Sequence, residues 1–347
     1  MLTRFPSRFF PPAFTAIFFL LHSSALAGDL KLLGVFALPT EAEIDGRQPG
    51  GLSSLGFNKK SGQIVAASDA YRRGGSVLWF FNVETPPAKK FRVLPEKFVV
   101  LDGPASDVEG LALAPKNRVF LAHDEANGGN LKPGISCFDR KSGKKIFSFV
   151  LPEIFESTAK SGLQKNRGLE SLSLDPKGRA LFAASESPLL QDTKKGSWAG
   201  PVRILNFDIK DQKKLPLQRV YVPDAESNYN TLVDMLALGE GRLLMLERTL
   251  VERNRPRRVR IRIYEVDFFE KGASPVEGVS SLLKTNYKPL TKKLVFDSEV
   301  AGLEQIDNVE GMGFGPEVDG KATILLVSDN NFRKDQKTEF LLFAINE

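Results

Sequence analysis

The chain has 347 residues, a formal net charge of +6, 42% hydrophobic residues, two histidines and one cysteine. One cysteine excludes an internal disulfide framework, and a chain of this length can stand on its apolar core instead. The charge is modest and scattered, so no nucleic-acid partner is implied, and the shortage of histidine excludes multi-histidine zinc sites.

The N-terminus reads as an export signal. Arg4 and Arg8 form a basic start, residues 14–21 an apolar stretch, and Ala25 and Ala27 a small-residue cleavage site. Removal of residues 1–27 would start the mature chain at Gly28 and take His22 with it, leaving His123. The apolar stretch is short for a membrane span. The expectation is a periplasmic or secreted protein with no stable membrane insertion.

Next comes a strand-like segment, 31–37, with no partner nearby in sequence. Five segments then share a pattern: an apolar run around a polar residue, a turn, a second apolar run, and an acid. They begin GLSSLGF at 51, VEGLAL at 108, GLESLSL at 168, LVDMLAL at 232 and NVEGMGF at 308. Spacing of about 60 residues is long for a propeller blade and far too long for a solenoid turn. In the third repeat, 169–174 alternates, 175–178 is a turn, and 180–184 returns, which is a hairpin signal. Strand-like stretches at 203–208 and 217–222 follow it.

Four antiparallel strands repeated radially predict an all-β fold, a single β-propeller domain over residues 28–347. Five blades are counted. Six stay open as an alternative, because 268–289 is long enough to hold a divergent unit. The last repeat has only three strands, so 31–37 is expected to pair with 338–345 and close the ring.

Aligned on their apolar runs, the repeats place Ser53, Glu109, Glu170, Asp234 and Glu310 in one polar column. A second column holds Asp69, Glu125, Glu186, Glu247 and Asp329. Equivalent positions meet at a propeller axis, so the columns predict a ring of carboxylates. Such a ring needs compensation. Calcium takes many oxygen ligands at flexible geometry, and Asn166, Asn308, Asn330 and Asn331 stand beside the columns to complete a shell. For any single acid the alternative is a backbone N–H, or a Lys or Arg partner.

Arg248 follows Glu247 and is expected near the axis, where its fork suits a phosphate or carboxylate. The other arginines up to Arg262 read as a solvated strand edge. His123 is a candidate general acid or metal ligand, against a plain hydrogen-bonded histidine. Cys137 and Trp79 read as core, and Trp198 as a residue that would stack on a ligand. A Gly-x-Ser-x-Gly elbow, a phosphate-binding loop and a phosphohistidine motif are all absent.

The stretches GLSSL, VEGLAL, NRGLESLS, FAASE, LMLER and NVEGMGF, with LVSDNNF after them, resemble the bacterial family called esterase-like activity of phytase. That family is a β-propeller group of exported proteins. The likeness departs at Glu170-Ser171 and Asp234-Met235, where Glu-Gly is expected, and the larger residues would narrow the axial site. The resemblance implies an exported, calcium-assisted hydrolase of a phosphorylated or otherwise anionic small molecule. Glu109, Glu170, Glu310 and Asp329 would hold the metal, Arg248 the phosphate, and Glu186 or Glu247 would take a proton from water. The alternatives are a non-catalytic propeller that binds a ligand or partner, and a calcium-dependent lactonase.

Overall fold

Residues 30–68, 75–85, 90–102, 105–127, 130–194, 197–225, 229–252, 258–303 and 305–345 are described by the computed structural model. The expected export signal, residues 1–27, therefore lies outside the described residues. So does Asp69, and nothing is described of the Glu125 side chain.

After β1 (Leu30–Ala37), the first blade is β2 (Leu52–Asn58), β3 (Gln63–Ser68), β4 (Val77–Glu84) and β5 (Arg92–Val100). The second is β6 (Ala105–Ala114), β7 (Arg118–Asn127), β8 (Asn130–Asp139) and β9 (Lys145–Ser148). The third is β10 (Leu169–Leu174), β11 (Ala180–Ser185), β12 (Val202–Asp208) and β13 (Leu217–Tyr221). The fourth is β14 (Asn230–Gly239), β15 (Arg242–Glu252), β16 (Arg258–Asp267) and β17 (Lys293–Asp297). The fifth is β18 (Val309–Phe314), β19 (Thr323–Ser328) and β20 (Glu339–Ile345), completed at its outer edge by β1.

Each sheet is antiparallel, and the first strands β2, β6, β10, β14 and β18 pack side by side around the ring. This is the five-bladed propeller that the repeats predict. The apolar sequences explain it locally. β3, β11 and β19 are buried nearly throughout, because a blade is covered on both faces by its neighbours. Outer strands such as β5 and β9 are largely exposed or half-buried. The hairpin turn after β10 is closed by the Gly178 N–H on the Asp175 carbonyl at 2.7 Å, as its sequence predicts.

The core is divided into five interblade layers. Trp79 and Phe81 of the first blade pack on Phe340 and Leu342 of the fifth. Cys137 sits between the second and third blades, and burial pushes its thiol up to about 11. It is a packing residue, as expected.

β1 pairs antiparallel with β20 from Leu30 opposite Ile345 to Ala37 opposite Glu339, so the chain ends close the ring. Residues 268–289 form no sixth blade. They fold back over the third one, where the N–H of Val276 reaches the Gln218 carbonyl and that of Leu290 the Val220 carbonyl. Val276 and Leu282 cover Val220 there. Under this cover Arg203 and Asp192, both with fully buried side chains, pair at 2.6 and 3.0 Å. The Leu282 N–H also donates to Asp192, at 2.8 Å.

Candidate functional site

Every blade has a register shift at the same place between its first two strands: Leu52/Ser54, Val108/Gly110, Leu169/Ser171, Leu232/Asp234 and Val309/Gly311. A bulge inserts one residue and re-aims the side chains around it. The bulged residues are Ser53, Glu109, Glu170, Val233 and Glu310. Asp234 is therefore the neighbour of its expected column, and its structural equivalents are Ser54, Gly110, Ser171 and Gly311.

That second set lines the axis, where inner strands approach closely. A Cβ on Gly110 would lie 2.8 Å from the Leu172 Cβ, and one on Gly311 would lie 2.9 Å from the Ser54 Cα. Asp234 reaches inward, fully buried, and accepts the Met235 N–H at 2.8 Å and the Met312 N–H at 2.7 Å. The Ser54 hydroxyl and the Leu172 N–H also donate to it. Burial nevertheless pushes its carboxyl well above the usual carboxylate range. Asp234 fills the axis in the place where the departure from Glu-Gly expected Met235, and its bonds are internal.

The same one-residue slip sorts the second column. Ser68, His123, Ser185, Glu247 and Ser328 are paired with Leu52, Val108, Leu169, Leu232 and Val309. All five are buried. Glu247, 1% exposed, accepts hydrogen bonds from Tyr221, the Asp224 N–H, Asn230 and Lys292, the last at 2.8 Å. It is held between the third and fourth blades. His123 is buried, bonds Ser136 at 2.8 Å, and packs edge-on to Phe138. Neither faces the axis.

The residues that follow these five in sequence are Asp69, Asp124, Glu186, Arg248 and Asp329. Arg248 thus occupies an acid's place. Its guanidinium donates to Glu310 at 2.7 Å, Asn308 at 2.8 Å and Glu186 at 3.3 Å, joining the third, fourth and fifth blades. Burial alone would weaken its charge. Glu310 and Glu186, with Glu170 adding, outweigh that and hold it protonated. Its side chain remains 14% exposed.

Glu186 also accepts from Thr231 at 2.8 Å and from Arg167. The Arg167 guanidinium lies over the Trp198 ring, 4.4 Å from its centre, and Trp198 meets Tyr229 edge-on at 5.3 Å. A connected set of Trp198, Arg167, Glu186, Arg248, Glu310 and Asn308 results, at the end of the ring where the inner strands begin. Glu170 and Glu109 occupy the same bulge position as Glu310. Arg167, Thr231 and Tyr229 carry no signal in the repeat columns, and only Trp198 was marked by its residue type.

Asp329 and Asn330 serve the turn after β19. Asp329 accepts the Asn331 N–H at 2.8 Å, and Asn330 accepts the N–H groups of Phe332 and Gly51 at 3.0 and 3.1 Å. Among the described residues, no three His, Cys, Asp or Glu side chains come together as a group that could hold a metal ion. At the described end of the arginine run, Arg260 and Arg262 are not a solvated edge, and Arg253, Arg255 and Arg257 lie outside the described residues. Arg262 is 4% exposed and Arg260 half-buried, and both bond Asp297, with Arg260 also 3.1 Å from Glu299.

A family model for phytase-like proteins, described as esterase-like activity of phytase, matches residues 47–332. The chain belongs to this phytase-like family. Among curated proteins no sequence matches it. Solved structures that resemble it include a hypothetical protein from Leishmania major, 11% identical over 90% of each chain, with a TM-score of 0.47. The catalytic domain of a GH62 α-L-arabinofuranosidase from Coprinopsis cinerea is 11% identical, covering 92% of this chain and 98% of that one, with a TM-score of 0.47. A glycosyl hydrolase from Bacteroides ovatus is 10% identical over 91% and 93% of the two chains, again with a TM-score of 0.47. These distant likenesses carry no conclusion about the activity of the phytase-like chain.

Proposed function

We propose that this phytase-like protein is an exported hydrolase that binds an anionic ester of a small molecule at Arg248. The observation that supports it is the placement of this arginine at one end of the axis, where three blades orient its guanidinium and its side chain stays 14% exposed. An arginine presents paired N–H donors in the geometry that phosphate and carboxylate oxygens accept. Family membership supports ester hydrolysis as the reaction. Glu170, at the bulge and near enough to act on the Arg248 charge, is proposed to take the proton from the attacking water. Glu247 and His123 are left out of this chemistry by their burial. Calcium enters only as an accessory, through Glu109 and Glu170, and no step depends on it here.

The second reading, a propeller that binds an anion without turning it over, draws on Glu186. Two arginines and a threonine all donate to its Oε1, which fixes this acid as a structural partner of the arginines. One experiment separates the two. Wild type, R248A and E170Q are assayed on phosphomonoesters and carboxylic esters, with calcium and with EDTA. Hydrolysis lost in both variants supports the enzyme. Binding lost in R248A without turnover in wild type supports the binder. Activity that survives in R248A overturns the site, and activity unchanged by EDTA removes calcium.

A further inference from the structure

We infer that the ligand of this site carries a flat-faced ring beside its anionic group, and that Trp198 is the residue that stacks on that ring. The inference rests on Arg248 as the anion site and adds what the rest of the ligand must look like. The two tryptophans have opposite fates. Trp79 is fully buried between blades, packed at 5.2 Å from Phe98. Trp198 is 36% exposed at the same end of the ring as Arg248.

Trp198 is also pinned in place. The Arg167 guanidinium lies over one face of its ring, and the ring of Tyr229 stands nearly perpendicular to it at 5.3 Å. The Ser197 hydroxyl donates to the Ala199 carbonyl at 2.7 Å, and Gln164 donates to the carbonyls of Pro188 and Ser197 at 2.8 and 3.5 Å. An exposed indole held this firmly has lost its freedom before any ligand arrives, so stacking on it costs little further ordering. Arg167 completes the link. The same guanidinium that lies over Trp198 bonds Glu186, and Glu186 bonds Arg248. Arg167 and Arg248 donate to the same oxygen, Glu186 Oε1, so one guanidinium and one carboxylate oxygen separate the ring platform from the anion fork.

The test uses phenylphosphonate and methylphosphonate, which share the anionic group, resist hydrolysis and differ in the ring. Affinities are measured by calorimetry and by tryptophan fluorescence, in which Trp198 is the exposed reporter. Wild type should bind phenylphosphonate roughly tenfold more tightly than methylphosphonate. W198A should lose that preference and keep its methylphosphonate affinity, with W198F retaining part. R248A should weaken both ligands by the same factor. Equal affinities in wild type, or an unchanged preference in W198A, overturn the ring platform while leaving the anion site intact. Failure of both phosphonates to bind wild type overturns the anion site and the platform together.

Discussion

Asp234 and Ser54 meet at 3.3 Å although they belong to the fourth and first blades, which are not neighbours in the ring. The contact exists because Gly311 of the intervening blade has no side chain to fill the axis. With its bonds to the N–H groups of Met312 and Leu172, Asp234 ties together inner strands of four blades.

Replacing Asp234 with alanine should therefore destabilise the whole ring. It leaves the buried Met235 and Met312 N–H groups without acceptors, at about 1–3 kcal/mol each. Asp234→Asn keeps the size and one acceptor but turns its amide donor toward a backbone donor in either orientation, and should cost less than alanine. Denaturant unfolding of the three proteins checks the order, and an alanine variant as stable as wild type would refute the axial role.

Acid sensitivity should trace to Asp297. Burial by itself would raise its carboxyl, but hydrogen bonds from Arg260 and Arg262 outweigh this and hold it at about 2. Its folded value lies below the unfolded one, so the stability is present above about pH 4 and lost as pH falls through about 2. The shift amounts to about 2 kcal/mol at neutral pH. Asp297→Asn should lower Tm at pH 7, and the gap to wild type should close between pH 4 and 2. A gap constant with pH would rule this linkage out.

The Arg203–Asp192 pair under residues 276–282 makes a sharper prediction. Removing either partner alone strands a charge in a dry site and should cost about 3–5 kcal/mol. The double variant Asp192→Leu with Arg203→Met should recover a good part of that loss. Chemical denaturation of the two single variants and the double one measures the coupling directly. Additive losses would mean that the pair is not coupled.

Losing Arg248 should affect stability as well as binding. Glu186 is 3% exposed and would keep only Arg167 and Thr231, while Glu310 would keep Asn308. Arg248→Ala should destabilise by about 1–3 kcal/mol at low salt. Arg248→Lys, which keeps the charge but not the fork, should restore more stability than ligand affinity. Melting curves beside phosphonate titrations separate the two effects.

Blade count and ring closure were legible in the sequence because they depend on apolar runs and turns, which survive small errors of alignment. The leftover segment at 31–37 found its partner by the same reasoning. The site was harder, since it depends on which single residue bulges. In the fourth repeat, Leu232, Val233, Asp234 and Met235 fit two alignments equally well, one with the acid bulged and one with the valine. A shift of one residue moves a side chain to the other face of the strand. The wrong choice made Asp234 a ring ligand and put Glu247 in the place that Arg248 holds. The arginines at 260 and 262 looked solvated because their partners, Asp297 and Glu299, lie more than thirty residues later. No local pattern marks such a pairing.

The union of β1 with β20 also sets an order of events during synthesis. Leu30 emerges long before its partner Ile345, closing a loop of roughly 300 residues whose entropic cost grows only with the logarithm of length. Four blades can assemble as the chain appears, but the fifth lacks its outer strand until β20 is in place. A chain cut a few residues short would leave β1 with an open edge, able to pair with another molecule. The strand made first is the one that waits longest for its neighbour.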